Sequence, residues 1–234
     1  RYISVTGVQT CALPILFSGQ GVPSEYRDVY DKTFAMWEDV WAKALTELNR
    51  NQPIVSDGFT RQTKIGAIFY NGQCVAMTSF REVDISVPAQ RRDSLLSAWD
   101  EEAFNLLIKD GTKISICTYL SVAPEFRGEI APEMTFKLLA VLMSTHCLLG
   151  SDCNAMTGTM RCNRGTDKSA YRSGARFLKK SKMYDVEVDL VGFFKNEILQ
   201  NYTQSTHLWS ETLWKNRIDL VNPAAVTLPK KKAA

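Results

Sequence analysis

Two stretches of the chain carry apolar residues at every third or fourth position, which is the spacing of an amphipathic helix. The first runs from Ser24 to Arg50 and begins directly after Pro23, a residue typical of helix starts. The second runs from Pro88 to Asp110 and is followed by Gly111, a residue common just past a helix end. Each stretch predicts a helix that buries one face and exposes the other.

Shorter apolar runs, rich in β-branched and aromatic residues, predict strands. Thr63 to Tyr70 and Gln73 to Val83 are joined by Asn71-Gly72. Asn-Gly between two such runs is the strongest short signal for a β-hairpin. Further strands are predicted at Lys113–Val122, Asn154–Arg161 and Asp185–Phe194.

Additional helices are predicted at Pro132–Leu149, Asp167–Lys180 and Asn196–Leu220. The first of these is apolar nearly all round, so it should be buried. The elements therefore follow the order helix, hairpin, helix, and then alternate between strands and helices. This order predicts a single α/β (α+β) domain with a mixed central sheet flanked by helices.

The beginning of the chain needs separate treatment, because residues 5–15 (VTGVQTCALPI) look like the translation of a sequencing adapter. We expect residues 1–22 to be a non-native or disordered leader, residues 23–221 to form the domain, and residues 222–234 to be a flexible tail. The alternative, a signal-peptide core at Cys11–Phe17, lacks a charged start and is too short to span a bilayer.

Composition limits the possible functions. The chain has 234 residues, 45% of them hydrophobic, and a formal net charge of +3. These values are typical of a soluble globular protein, and the charge alone does not imply a nucleic-acid partner. The cysteines form no C-x-x-C pair and there are only two histidines, so we expect neither a metal site nor a disulfide framework. A reducing cytoplasm fits best.

The run Leu120–Gly128 (LSVAPEFRG) carries the most chemical information. It connects a predicted strand to a predicted long helix through a turn that contains glycine. Such a corner directs unpaired backbone N–H groups and the positive end of a helix toward one point. An anion such as a phosphate suits that point.

Residues 112–178 resemble the acyl-CoA-binding half of the GNAT acyltransferase superfamily. The pattern of that family is a strand ending in an apolar-x-V-x-P-E-[YF]-R-G turn, a long helix, a strand ending near Asn, and a helix with Tyr and then Gly. The matching residues here are Leu120–Gly128, Asn163, Tyr171 and Gly174.

The resemblance implies an N-acyltransferase in which two central strands separate and a pantetheine arm fills the gap. A backbone N–H before Val122 would polarise the thioester carbonyl while an amine attacks it directly. The donor would be acetyl-CoA, a longer acyl-CoA, or acyl-phosphopantetheine on an acidic carrier protein; the acceptor would be a small-molecule or amino-acid amine. The residues that this resemblance implies in donor binding are Leu120, Ser121, Val122, Arg127, Gly128, Glu129, Ile130, Ala131 and Asn163. Arg164, Lys168 and Arg172 are added as donor-binding candidates by their charge and spacing, which are described below.

The pyrophosphate loop of the family reads [RQ]-x-x-G-x-[GA], and this chain departs from it. Ile130 and Pro132 occupy the positions of small residues, and Pro132 offers no N–H. Glu129 and Glu133 would also repel a pyrophosphate. A carrier-protein donor, which has no pyrophosphate, would tolerate these changes, as in the branch of N-acyl amino acid synthases and acyl-homoserine-lactone synthases.

Three residues are candidates for proton transfer. Tyr171 would protonate the departing thiolate. Counting back from Gly174, however, the family's tyrosine falls at Ala170, one residue earlier. The alternative is that Tyr171 is a tyrosine packed in the helix without a catalytic role. Glu82 and Asp84 lie at the end of the hairpin's second strand on one face and are candidates for the base. Solvated carboxylates are the alternative reading.

A stripe of basic residues recurs at every fourth position, and we call it the basic stripe: Arg164, Lys168, Arg172, Arg176 and Lys180. A solvated face is one interpretation. The other is a surface for an anionic partner, such as the phosphates of CoA, an acidic carrier protein or RNA. The basic stripe therefore keeps open a different class of function, a catalytically silent GNAT-like module that binds a partner.

Overall fold

The computed structural model describes residues 12–50, 53–131, 134–198, 200 and 204–221. Its strands are β1 Ala12–Phe17, β2 Lys64–Tyr70, β3 Gln73–Asp84, β4 Lys113–Val122, β5 Glu129–Ala131, β6 Met134–Thr135, β7 Ala155–Arg161, β8 Arg176–Met183, β9 Val186–Phe194 and β10 Ile218–Asp219. Its α-helices are α1 Arg27–Glu47, α2 Asp57–Thr60, α3 Pro88–Arg91, α4 Glu101–Leu107, α5 Phe136–Leu149, α6 Thr166–Arg172, α7 Lys195–Ile198 and α8 Gln204–Lys215. Short 3₁₀ turns lie at Ser24–Tyr26, Ser94–Leu96, Ile108–Asp110, Pro124–Phe126 and Cys162–Arg164.

Eight of the strands form one mixed sheet in the order β10–β1–β2–β3–β4–β7–β9–β8, and β5 pairs with β6 in a separate ribbon. Neighbours are antiparallel except at two places, where β1 pairs with β10 and β4 pairs with β7 in parallel. The predicted fold class, a mixed central sheet flanked by helices, is confirmed. No helix in the described residues is both long and apolar enough to cross a membrane.

Helices cover both faces of the sheet. On one face, Trp37 of α1 packs with alternate residues of β2, and Phe104 of α4 packs with Ile114 and Ile116 of β4. On the other face lies α5, which is buried almost along its whole length, as its uniform apolarity predicts. The core therefore has two layers, and β4 and β7 lie in the middle of the sheet between them.

The predicted hairpin is confirmed. β2 and β3 pair in antiparallel fashion around Asn71 and Gly72, whose φ angles are 49° and 76°. Both values lie in the left-handed region that Asn and Gly tolerate best, and two such residues in succession make the turn that matches the twist of the strands.

The expected leader overlaps the folded domain. Ala12–Phe17 forms β1, which is mostly buried and pairs with β2 from Ala12↔Tyr70 to Phe17↔Ile65. The alternating apolar side chains of β1 fill both faces of the sheet, so this segment belongs with the core. The domain limits at residues 23 and 221 remain a proposal, and residues 1–11 and 222–234 lie outside the described residues.

The helix predicted over Pro88–Asp110 is wrong as a single element, because the chain forms α3, two 3₁₀ turns and α4 instead. Two aspartates cause the restarts. The side chain of Asp93 accepts a hydrogen bond from the N–H of Leu95, and that of Asp100 accepts one from the N–H of Ala103. Each carboxylate caps a new helical turn and replaces the bonds of a continuous helix.

The helix predicted over Asp167–Lys180 is correct only in its first half. α6 ends at Arg172, and Gly174 (φ 87°) lets the N–H of Ala175 return to the carbonyl of Ala170. The chain then forms β8, which pairs with β9 through a turn at Tyr184 and Asp185, both with positive φ.

The last predicted helix, Asn196–Leu220, is shorter than expected. The described residues form α7 and α8, and Ile218–Asp219 forms β10 beside β1. Residues 199 and 201–203, which include part of the predicted span, lie outside the described residues.

Candidate active site

β4 and β7 separate in the middle of the sheet. They pair from Ile114↔Ala155 to Cys117↔Gly158, and no pairing joins them beyond that point in the described residues. β4 continues to Val122 and β7 continues to Arg161. The two strand ends therefore border a V-shaped gap in which backbone groups on both edges can meet a ligand.

A bulge in β4 lies at the start of this gap. Ser79 pairs with Thr118 and Met77 pairs with Ser121, so β4 has one residue more than β3 here. Tyr119 has φ 54°, a conformation that costs a bulky residue about 1–3 kcal/mol. Its ring packs edge-on against Trp37 and Trp41, at centroid distances of 5.6 and 5.1 Å, and these contacts hold the bulge in place.

The gap opens into an apolar space that we call the inner cavity, with a volume of about 130 Å³. Its apolar and aromatic lining includes Trp41 of α1, Leu48 directly after that helix, Trp99, Met183 and Tyr184. Among the described residues, those that line the inner cavity contribute hydroxyl groups and one thiol, but no carboxylate and no imidazole.

A second, wider space lies at the mouth of the gap, and we call it the basic pocket. Its volume is about 400 Å³, and it shares Trp41, Leu120, Arg161 and Thr166 with the inner cavity. Five cationic side chains line it: Lys43, Arg127, Lys137, Arg161 and Arg164. Among its described lining residues the single carboxylate is Glu47, which forms an ion pair with Arg164.

Backbone carbonyls hold two of these cations in place. Arg127 Nε donates to the carbonyl of Val122 (3.1 Å), and Lys137 Nζ donates to the carbonyl of Arg164 (2.7 Å). Burial and the nearby Arg127 lower the pKa of Lys137. This accumulation of positive charge favours a ligand with one or more phosphates.

No protein-family model and no curated protein sequence matches this chain. Solved structures do resemble it. A CoA-dependent acyl-homoserine lactone synthase, BjaI, solved with SAM and isopentyl-CoA, superposes with a TM-score of 0.57 at 10% identity, over 89% of this chain and 93% of that one. The acyl-homoserine lactone synthase LasI gives a TM-score of 0.51 at 12% identity, over 81% and 92%.

The chain has a GNAT-like fold. At these identities the likeness shows the fold alone, and this is the fold that the resemblance at Leu120–Gly128 implies.

Within this GNAT-like fold, the predicted pyrophosphate loop does not lead directly into a helix. Glu129–Ala131 forms β5, and α5 begins only at Phe136, where the Thr135 hydroxyl accepts a hydrogen bond from the N–H of Leu138 (3.1 Å). The expectation that this helix starts at Pro132 is therefore wrong. Gly128, Glu129, Ile130 and Ala131 line neither cavity, and residues 132–133 lie outside the described residues.

Other predicted donor residues do lie at the gap. Leu120 lines both cavities, and Val122, Arg127, Asn163 and Arg164 line the basic pocket. The hydroxyl of Ser121 is occupied instead by protein contacts. It accepts a hydrogen bond from Trp41 Nε1 (3.0 Å) and donates to the carbonyl of Tyr119 (2.9 Å).

The residues of the basic stripe lie on three different elements, a 3₁₀ turn, α6 and β8. Lys168 and Arg172 are exposed on α6 and line neither cavity. Arg176 and Lys180 lie on β8 and form ion pairs with Glu197 and Asp189. The regular spacing therefore does not correspond to one helix, and the two interpretations of the basic stripe stay predictions.

Tyr171 lies outside the lining of both cavities. Its hydroxyl donates to Asp189 of β9, and burial followed by this contact raises the pKa of the phenol well above its ordinary value. Asp189 also binds Lys180 Nζ (2.5 Å) and lies 3.4 Å from Cys162 Sγ. The tyrosine thus joins a polar cluster around the buried Asp189, between α6 and β9.

Glu82 and Asp84 lie away from the gap. They pair with Ser115 and Lys113 at the beginning of β4, whereas the gap borders its other end. Glu82 lies 3.9 Å from Lys64 Nζ. Asp84 accepts hydrogen bonds from the hydroxyl and N–H of Ser86, and the hydroxyl contact is the main cause of its lowered pKa.

Three polar residues of β7 that were not among the predicted site residues also line the gap. Thr157, Thr159 and Arg161 occupy alternate positions of a central strand and line the gap. A central strand between two helical layers is usually apolar on both faces. The polar residues at alternate positions of AMTGTMR were therefore the signal in the sequence that one face of this strand lines a site.

Proposed function

We propose that this protein is an N-acyltransferase that moves an acyl group from a pantetheine thioester to an amine. One observation carries the proposal. The gap between β4 and β7 joins a basic pocket to an apolar inner cavity. Such a cleft matches a donor that has phosphate at one end and an acyl chain at the other.

The donor would fit as follows. Its phosphates bind in the basic pocket near Arg127, Lys137 and Arg164, and its amide-containing arm lies along the unpaired edges of β4 and β7. The acyl chain extends into the inner cavity between Trp41 and Trp99. Amide groups of the arm would then satisfy backbone groups that have no strand partner.

The reaction would be a direct displacement. The amine nitrogen attacks the thioester carbon, the C–N bond forms, the C–S bond breaks, and a proton passes from the amine to the thiolate through solvent. Backbone N–H groups beside the Tyr119 bulge would stabilise the developing oxyanion. No carboxylate or imidazole lines the described inner cavity, so the amine enters the reaction already neutral.

Cys117 supports direct attack over an acyl-enzyme. It lies at the last strand pair, but burial raises the pKa of its thiol, which also contacts Thr78 Oγ1 at 3.2 Å. A thiol held protonated is a poor nucleophile.

The test compares donors. Melting temperature is measured with acetyl-CoA, a long-chain acyl-CoA and an acylated carrier protein, and thiol release is then followed with a mixture of primary amines. A donor that binds the folded state raises the melting temperature with concentration. Amine-dependent thiol release with either donor type supports the proposal, and the relative response identifies CoA or carrier protein. Absence of stabilisation by all three donors contradicts it.

A further inference from the structure

One wall of the gap is polar, although its surroundings are apolar. Thr157, Thr159 and Arg161 alternate along β7 and therefore share a face, the face toward Trp99. Trp99 Nε1 donates to the hydroxyl of Thr159 at 3.1 Å, so that hydroxyl is satisfied within the protein.

The other two residues of this wall are not satisfied. Thr157 is 1% exposed, and its hydroxyl has no hydrogen-bond partner among the described residues. Arg161 Nε is likewise buried without a partner in the part of the chain that the structure describes. A buried polar group without a partner destabilises a protein unless a ligand supplies the missing bond.

The charge of Arg161 is also unbalanced. No ion pair joins it to a carboxylate in the described residues, and Glu47, the carboxylate of the basic pocket, is paired with Arg164. Burial lowers the pKa of Arg161. Arg161 lies where the basic pocket and the inner cavity meet, so any ligand that occupies both passes beside it.

We propose that Arg161 binds an oxyanion of a ligand in the gap and thereby selects which molecules enter. This inference rests on the proposed function and specifies it further. A guanidinium presents a planar fork that matches carboxylate and phosphate oxygens. Two ligands carry such a group near this point: the donor, through the phosphate next to its pantetheine arm, and an acceptor amine that bears a carboxylate.

The first arm of the test measures the donor. Binding of CoA, 4′-phosphopantetheine and phosphate-free pantetheine is measured by calorimetry for the wild type, Arg161→Gln and Lys109→Gln. Lys109→Gln is the control, because Lys109 is exposed and lines neither cavity, and its substitution removes one positive charge as Arg161→Gln does. If the oxyanion is the donor phosphate, Arg161→Gln weakens the two phosphorylated probes by about 10- to 100-fold and pantetheine by less than about twofold.

The second arm measures the acceptor. Thiol release from acetyl-CoA is compared between a mixture of amino acids and a mixture of the corresponding decarboxylated amines. If the oxyanion is an acceptor carboxylate, Arg161→Gln lowers kcat/KM for the amino acids by about 10- to 100-fold, while the amines and CoA binding change little.

The outcomes separate the two proposals. An Arg161→Gln protein that equals the wild type in both arms overturns the role of Arg161. Equal losses for charged and uncharged probes also overturn it, because they show a general structural effect. A wild type that binds none of the three donor probes, releases no thiol and gains no stability from the acylated carrier protein contradicts the proposed function, and this inference with it.

Discussion

Cys117 and Gly158 form the last pair between β4 and β7, and both residues line the inner cavity that opens beyond them. The parallel pairing before this point keeps the sheet continuous, and the one-residue bulge of β4 at Tyr119 follows directly after it. Because a bulge bends the strand that carries it, we attribute the opening of the cleft to this extra residue.

Bulk at position 158 should obstruct the cleft. A Cβ atom built on Gly158 would lie 2.2 Å from Met160 Cε, and the flexible end of Met160 would have to move. Gly158→Val should therefore fold but weaken binding of a long-chain acyl-CoA by about 10- to 100-fold, which is a steric cost of about 1.4–2.8 kcal/mol. Calorimetry checks this, with the remote Gly150→Ala as control. Unchanged binding would place the acyl chain elsewhere.

Ser121 should affect stability and not donor binding. Ser121→Ala leaves the Trp41 indole N–H without its acceptor, which should lower the free energy of unfolding by about 1–3 kcal/mol. Urea unfolding measures the loss, and the exposed Ser97→Ala should show none. A large fall in CoA affinity with unchanged stability would restore Ser121 to the binding site.

Asp189 should make stability depend on pH in the acid range. Burial alone would raise the pKa of this carboxyl, but the contacts with Lys180 and Tyr171 hold it below its ordinary value of about 3.9. Its contribution is therefore complete above about pH 5, about one unit above the unfolded pKa, and is lost as the pH falls toward its folded pKa. Asp189→Asn should lower the free energy of unfolding at pH 7 and flatten its decline between pH 5 and 3. The exposed Glu187→Gln serves as control, and a steeper decline in Asp189→Asn would contradict the assignment.

Direct attack predicts that no acyl group accumulates on the enzyme. After mixing with acyl-CoA in the absence of an amine, intact-mass spectrometry should find the unmodified chain. The reason is that burial raises the pKa of the Cys117 thiol, so little thiolate is present near neutral pH. An acyl adduct mapped to Cys117 would replace direct attack with a covalent intermediate.

Elements with a strong local signal could be predicted from the sequence. Asn71-Gly72 identified the β2–β3 hairpin, and the apolar runs identified β4 and β9. The helix over Pro88–Asp110 could not be divided correctly. Its apolar period is continuous, and the caps at Asp93 and Asp100 use residue types that also occur inside helices.

The candidate site was harder to predict, because tertiary structure assembles it. Lys43 comes from α1, Lys137 from α5, and Arg161 from β7, so no local spacing connects them. The regular spacing of the basic residues from Arg164 to Lys180 indicated a continuous charged surface. The helix ends at Arg172, however, and Arg176 and Lys180 lie on β8, so the helical spacing does not continue through them. The motif Leu120–Gly128 indicated the fold, and three of its residues, Leu120, Val122 and Arg127, lie at the cleft. The β5–β6 ribbon, which the sequence did not predict, separates this turn from the start of α5.

The most direct test of the central claim is a crystal structure with a non-hydrolysable acyl-CoA thioether. We expect density for the pantetheine arm between residues 118–122 and 159–161. The phosphates should contact Arg127, Lys137 or Arg164, and the acyl chain should lie in the inner cavity. An empty cleft at saturating ligand, or the ligand bound elsewhere on the surface, would contradict the account.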